Sequence, residues 1–200
     1  MRKRTLESKR VEAQTIIDRY PQDVAFSPED RARLSELTGT ELRYCVKRAN
    51  PLFSGDKRHL YVLAYDWQIP EQWSWNNALR FAHSDDPAAA KQKHQFQKYL
   101  LALRYAIRSD LQSFLMMERD TPCACGSLND LTADHASPPF ISIAEAFLAE
   151  HPVLELRQLK GVSDVLADRA IESEWIAFHR ARATFQVLCR RCNSSKGARV

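Results

Sequence analysis

Apolar residues recur at Phe96, Leu100, Leu103, Ile107, Leu111 and Phe114, in steps of 4, 3, 4, 4 and 3. Such steps place all of them on one stripe of a helix. They predict a single helix over about 88–118. Upstream, Ser27-Pro28-Glu29-Asp30 is a helix start: a hydroxyl cap, a proline in the first turn, then acids at the positive end of the helix dipole. Leu34 and Leu37 share its inner face until Gly39 interrupts. Thr40-Glu41 predicts a second helix carrying Leu42, Cys45 and Val46, ended by Asn50-Pro51. LYVLAY (60–65) fits either a strand or a buried helical turn. Residues 71–83, with Trp73, Trp75, Leu79 and Phe81, predict a further helix. Residues 1–118 therefore read as a helical domain.

The character changes near 119. TPCACGSLND is polar and cysteine-rich, and LTADHASPPF ends in a double proline that forces an extended segment. SIAEAFLAEH (142–151) predicts a helix up to Pro152. Ser163 is placed to cap another helix, running to about 182, with Leu166, Ala170, Ile171, Trp175 and Phe178 inward. TFQVLC (184–189) predicts a strand, and RRCNSSKGARV a short final helix. The expected fold is mainly α, in the α+β class. A helical region (1–118) precedes a small β-hairpin-plus-helix core (119–200) with a helical insert at 141–182.

Composition narrows the function classes. A chain of 200 residues with 44% hydrophobic and 27% charged side chains is globular and makes one domain or two small ones. It has no apolar run of about 18 residues, which argues against a membrane span. MRKRTLESKR is basic with no apolar stretch behind it, so no secretory signal is read there. Five cysteines without such a signal point to a reducing, cytoplasmic setting, where thiols bind metal or stay free. Net charge is only +4, but residues 180–200 hold six cations (Arg180, Arg182, Arg190, Arg191, Lys196 and Arg199) and no acid. That is either a polyanion-binding tail or a solvated terminus. Lys91, Lys93, Lys98, Arg104 and Arg108, off the apolar stripe, fit phosphate contacts or a solvated helix face. Trp67, Trp73 and Trp75 fit base stacking or core packing.

The cysteines carry the first chemistry. Cys123-x-Cys125-Gly126 and Cys189-x-x-Cys192 are two close pairs with 63 residues between them. Two thiolate pairs complete one tetrahedral zinc site and close a long loop. Cys45 stands apart from them and reads as a buried apolar residue. Asp134-His135 lies between the pairs, and Asn193 directly follows Cys192. A carboxylate, an imidazole and an amide oxygen around one cleft suit a hard metal with a neighbouring base, and hence phosphodiester hydrolysis. Arg190, Arg191 and Lys196 are placed to hold phosphates at the start of the last helix.

C-x-C-G, then Asp134-His135-x-x-Pro138, then Leu188-Cys189-x-x-Cys192-Asn193-x-x-Lys196 resembles the HNH endonucleases of the ββα-metal, or His-Me finger, fold with a four-cysteine zinc knuckle. The resemblance covers about 119–200. It implies His135 as general base, Asp134 and Asn193 as ligands of a catalytic Mg²⁺ or Mn²⁺, and DNA as substrate, with RNA not distinguished. The family usually has Asn where this chain has Thr184, which offers a hydroxyl to brace the base. The link between Asp134-His135 and Thr184 is 48 residues (136–183), similar to a subset whose insert carries Trp-x-x-Phe-His, here Trp175 to His179. His179 either supports the site or is a partly exposed helical histidine beside core Phe178. His59, His83, His94 and His151 read as surface or capping residues. Two other functions fit the same residues. One is a non-catalytic zinc-knuckle module that binds nucleic acid or protein. The other is a nuclease subunit active only in a larger complex, docked through residues 1–118.

Overall fold

In a computed structural model, residues 5–49, 58–64, 71–159 and 164–197 are described. They form two compact units, residues 1–95 and 96–200. The fold is mixed α+β and mainly helical, as expected. No described helix is long and apolar enough to cross a membrane.

The first unit starts with α1 (Leu6–Asp18) and α2 (Pro28–Thr38). Ser27 caps α2 by accepting from the Asp30 amide, and Gly39 ends it with φ +63°. A side chain at Gly39 would bring Cβ to 3.3 Å from that of Ala82, so glycine meets both the left-handed turn and the close approach. The next segment overturns one expectation. Leu42–Ala49 is a strand, β1, and no helix. It pairs antiparallel with β2 (Arg58–Ala64), which pairs with β3 (Glu71–Trp73). A register shift between Leu42 and Tyr44 explains the misreading. The irregularity puts Leu42 and Cys45 into one core at a spacing of three, and Val46, on the opposite face, is buried where Ala25 bridges to it, so the three imitate a helical spacing. LYVL of the ambiguous segment is strand, and the expected helix over 71–83 is shortened to α3 (Trp75–Ala82), capped by Ser74. The helices and sheet enclose Ile16, Ile17, Leu34, Leu37, Cys45, Val62 and Leu79. Trp73 and Trp75 pack on this core. Trp67, Asn50-Pro51 and Ser163 lie outside the described residues.

The single helix expected over 88–118 is two, α4 (Pro87–Ala106) and α5 (Arg108–Met117). The break is at Ile107, φ −97° and ψ 7°, a residue with no surface exposed. The apolar stripe keeps its phase because Ile107 stays in the core through the bend. Residues 96–118 belong to the second unit, so the change of composition near 119 falls inside it. There follow β4 (Leu131–His135), α6 (Phe140–Glu150), β5 (Leu156–Gln158), β6 (Asp164–Leu166), α7 (Arg169–Arg180), β7 (Phe185–Cys189) and α8 (Arg190–Gly197). The insert expected to be helical thus also contains a β5–β6 hairpin. Asp168 caps α7 by accepting from the Ala170 amide at 2.7 Å. Leu103, Ile107, Phe140, Ile143, Phe147 and Trp175 form the core of this unit. β4 and β7 pair antiparallel, Leu131 opposite Cys189 and His135 opposite Phe185, and α8 leaves directly from β7.

Candidate functional site

At one end of the β4–β7 ladder the four cysteines converge. Cys123 and Cys125 sit on a tight turn closed by the Gly126 amide donating to the Cys123 carbonyl at 2.7 Å, with Gly126 at φ +82°. Cys189 ends β7 and Cys192 lies in the first turn of α8. The four Sγ atoms lie within 4.8 Å of one another, in position to hold one metal ion. Cys125 and Cys189 are 3.7 Å apart at Sγ. Two thiolates on a tetrahedral zinc with Zn–S of about 2.3 Å stand about 3.8 Å apart, so the spacing fits. Hydrogen bonds from the Cys125 and Cys189 backbone bring the Cys123 thiol down to about 6. The neighbouring thiols, Cys189 first, push Cys192 up to about 12. Such a cluster needs a cation before all four thiols can ionise. Among the described residues no other group of three or more His, Cys, Asp or Glu side chains is so arranged. Cys45, with no surface exposed and its thiol pushed up to about 12 by burial, is an inert core residue.

At the other end of β4 lies a cleft of about 420 Å³, lined by Arg104, Asp134, His135, Phe140, Asn193 and Lys196 among others. His135 is 5% exposed. Its ring is 5.3 Å from that of Phe140 and 5.2 Å from that of Phe185, its partner across the ladder. Its Nε2 is 2.8 Å from Nε2 of His179. The expectation of a partly exposed His179 is overturned: it is fully buried, because it lies one turn after Trp175 on the inner face of α7. One Nε2 of the pair must donate and the other accept. Among the described residues Nδ1 of His135 has no hydrogen-bond partner, and Nδ1 of His179 is buried without one. A larger hollow of about 620 Å³ in the first unit is lined by Trp73, Asn77, Phe81, Lys91 and His94. It gathers no acid–base pair, so its size does not make it the reactive site.

Asp134 and Asn193 reach the same cleft, where Asn193 donates to the Thr132 hydroxyl at 3.1 Å. Lys196, expected to hold phosphate, instead donates to Asp134 Oδ2 at 2.7 Å and to the His135 carbonyl. One turn of α8 brings Lys196 over the carboxylate, and Coulomb attraction does the rest. Gln186, opposite Asp134 in the ladder, donates to the His135 carbonyl at 3.2 Å. Thr184 braces the chain beyond His135: its hydroxyl donates to the Ser137 carbonyl at 2.6 Å and accepts from the Ser137 amide at 3.3 Å.

The six-cation tail is divided by the fold. Arg180 forms a two-pronged pair with Asp110 at 2.8 Å, and Arg182 lies 3.5 Å over the Phe178 ring. Arg190 and Arg191 are exposed on α8, and Arg199 lies outside the described residues. His83 and His151 follow the last turns of α3 and α6, and His94 contacts Asn77. The side chain of His59 is not among those described. Phe140 and Gln186 are site residues that sequence reasoning does not single out, and Arg104, read only as one of five cations off the apolar stripe, is the one of them that lines the cleft. A signal for Gln186 exists in its cross-strand position once the ladder register is known.

Burial lowers the His135 imidazole to about 4, and the neighbouring His179 and the cations Arg104 and Lys196 add to this against Asp134. His179 is lowered too, chiefly by burial. Both should stay neutral as pH falls through about 6.5, where an ordinary histidine protonates. The unfolded chain binds those protons and the fold refuses them, so stability should decline from about pH 6.5 towards 4. Imidazole resonances followed by NMR over that range check this, and a His135 signal titrating near 6.5 contradicts it. The chain carrying this arrangement matches no protein-family model, no curated protein and no solved structure.

Proposed function

We propose that the second unit is a metal-dependent endonuclease of the HNH type that hydrolyses DNA phosphodiester bonds. We also propose that zinc at Cys123, Cys125, Cys189 and Cys192 staples it. The observation that carries this reading is His135: an imidazole held at Nε2 by His179, with no described partner at Nδ1, in a cleft shared with Asp134 and Asn193. In the proposed reaction neutral His135 donates its Nε2–H to Nε2 of His179, and its unprotonated Nδ1 takes a proton from water. The water oxygen attacks phosphorus. The bond from phosphorus to the 3′ oxygen breaks, and that oxygen leaves with the electron pair and takes a proton from solvent. Gln186 and Thr184 keep the backbone at His135 and just beyond it, at Ser137, in place.

Asp134 and Asn193 offer hard oxygen donors of the kind that Mg²⁺ or Mn²⁺ prefers. The divalent ion would supply positive charge to the leaving oxygen. Only Asp134 is anionic, and Lys196 must move off it to admit the ion. That ion pair is the observation favouring a second reading, a zinc-knuckle module that binds nucleic acid without cutting it. Incubation of the full chain with plasmid DNA and Mg²⁺ or Mn²⁺ tests both. Nicking that EDTA abolishes supports the nuclease, whereas binding without nicking in either ion supports the module.

In both readings the exposed pair Arg190 and Arg191 faces phosphate. The double variant Arg190→Ala/Arg191→Ala should bind DNA more weakly, with the salt dependence of log K reduced by about 1–2. An unchanged salt slope in a fluorescence-anisotropy titration removes these arginines from the interface.

A further inference from the structure

We infer that Arg104, on α4, holds the scissile phosphate of the substrate against His135. This rests on the nuclease reading of the same cleft and names the residue that recognises its anion. Arg104 is exposed and lines the cleft together with His135, Asp134, Asn193 and Lys196. Its guanidinium lies 4.5 Å from the centre of the Phe140 ring, and that ring is 5.3 Å from the ring of His135. This cation–π contact anchors the guanidinium at the cleft without using its N–H donors.

The charges in this cleft do not cancel. Asp110 is taken by Arg180 at 2.8 Å and Asp134 by Lys196 at 2.7 Å, and no described carboxylate pairs with Arg104. Arg104 and Lys196 are the cations of the lining and Asp134 is its one carboxylate, so cationic side chains outnumber anionic ones there. A guanidinium with no described carboxylate partner, in the cleft that holds His135, suits a doubly hydrogen-bonded phosphodiester oxygen pair. It suits the extra negative charge of the attacked phosphorus still better.

The insert supports this geometry from one helix. Trp175, with no surface exposed, donates from its indole to the Leu103 carbonyl at 2.8 Å, pinning the turn of α4 that bears Arg104. One turn further along α7, His179 meets His135 at 2.8 Å. The Trp175-to-His179 segment thus acts as a strut that fixes the arginine at one end and the base at the other.

Two variants of the full zinc-loaded chain test the role, with melting temperature and zinc content unchanged because Arg104 is exposed. Arg104→Met should lower kcat for plasmid cleavage by roughly 10²-fold. Arg104→Lys should recover the charge but not the fork, and so less than half of that loss on a logarithmic scale. In a His135→Ala background that cannot cut, Arg104→Met should weaken oligonucleotide binding and reduce its salt slope by about 1. Cleavage and binding equal to the parent in Arg104→Met overturn the assignment. If the parent chain neither cuts nor binds DNA, the nuclease reading falls separately. Titration with inorganic phosphate then decides Arg104: a shift of its Nε–H NMR resonance keeps the anion site, and a static resonance removes it.

Discussion

Replacing Cys189 with serine should strip zinc from the second unit and unfold its β4–β7–α8 end. The apolar cluster at the knuckle is small: Cys123, Leu188 and Cys189 are buried, with Leu131 and Cys192 only partly so. At roughly 25 cal/mol per Å² of buried apolar surface, so small a cluster cannot by itself order the turn, two strand ends and a short helix. In the proposed zinc-stapled unit the metal supplies the difference, and binding energies of about 10–16 kcal/mol for structural zinc in small folds are folding energies. Losing one thiolate ligand should therefore cost several kcal/mol and lower the melting temperature of this unit by ten degrees or more. The loss should be uneven. Amides from Cys123 to Leu131 and in α8 should exchange freely in the variant. Those of α6 and α7, packed around Phe147 and Trp175, should stay protected. Elemental analysis with hydrogen exchange reads both. Purified wild-type protein without zinc, or uniform protection in Cys189→Ser, contradicts this account.

His135→Ala should abolish cleavage while leaving zinc in place. Removing a positioned base typically costs about 10²–10⁴ in rate. The thiolate cluster is at the far end of β4, so elemental zinc should remain at one per chain. The divalent ion should respond to the other side chains. Asp134→Ala removes the anionic ligand and should weaken Mn²⁺ binding most, and Asn193→Ala, losing a neutral amide, should weaken it less. His135→Ala should leave it unchanged. Calorimetric titration of Mn²⁺ into the zinc-loaded variants, beside a plasmid assay, separates the roles. Mn²⁺ binding lost in His135→Ala and kept in Asp134→Ala would reverse them. Full activity in His135→Ala would remove the imidazole from the reaction.

The sites that sequence pattern reads correctly depend on neighbours a few residues away. Ser27 and Gly39 bound α2 because an N-cap hydroxyl and a left-handed C-terminal turn are local devices. The strand at Phe185–Cys189 and the helix after it follow from a short β-branched run and its basic sequel. The errors arise where a distant partner changes a local rule. β1 imitates a helix because its irregular pairing with β2 breaks the alternation. The bend at Ile107 is silent because the residue remains buried on both sides of it. His179 had a readable signal, its place one turn after Trp175 on the same helix face.

By itself, the sequence determined the spacing within each cysteine pair, the adjacency of Asp134 to His135 and of Asn193 to Cys192, and the two caps of α2. These are covalent or one-turn relations, and every compact conformation of the chain keeps them. Tertiary structure alone decided that the two cysteine pairs meet, that His179 closes on His135, that Lys196 covers Asp134, and that Arg104 shares their cleft. Each of these joins segments separated by tens of residues, including the 48 between His135 and Thr184. Closing such loops costs entropy that no local preference repays. It is offset only when Phe140, Phe147, Trp175 and their neighbours are buried together, and that burial is a property of the whole unit.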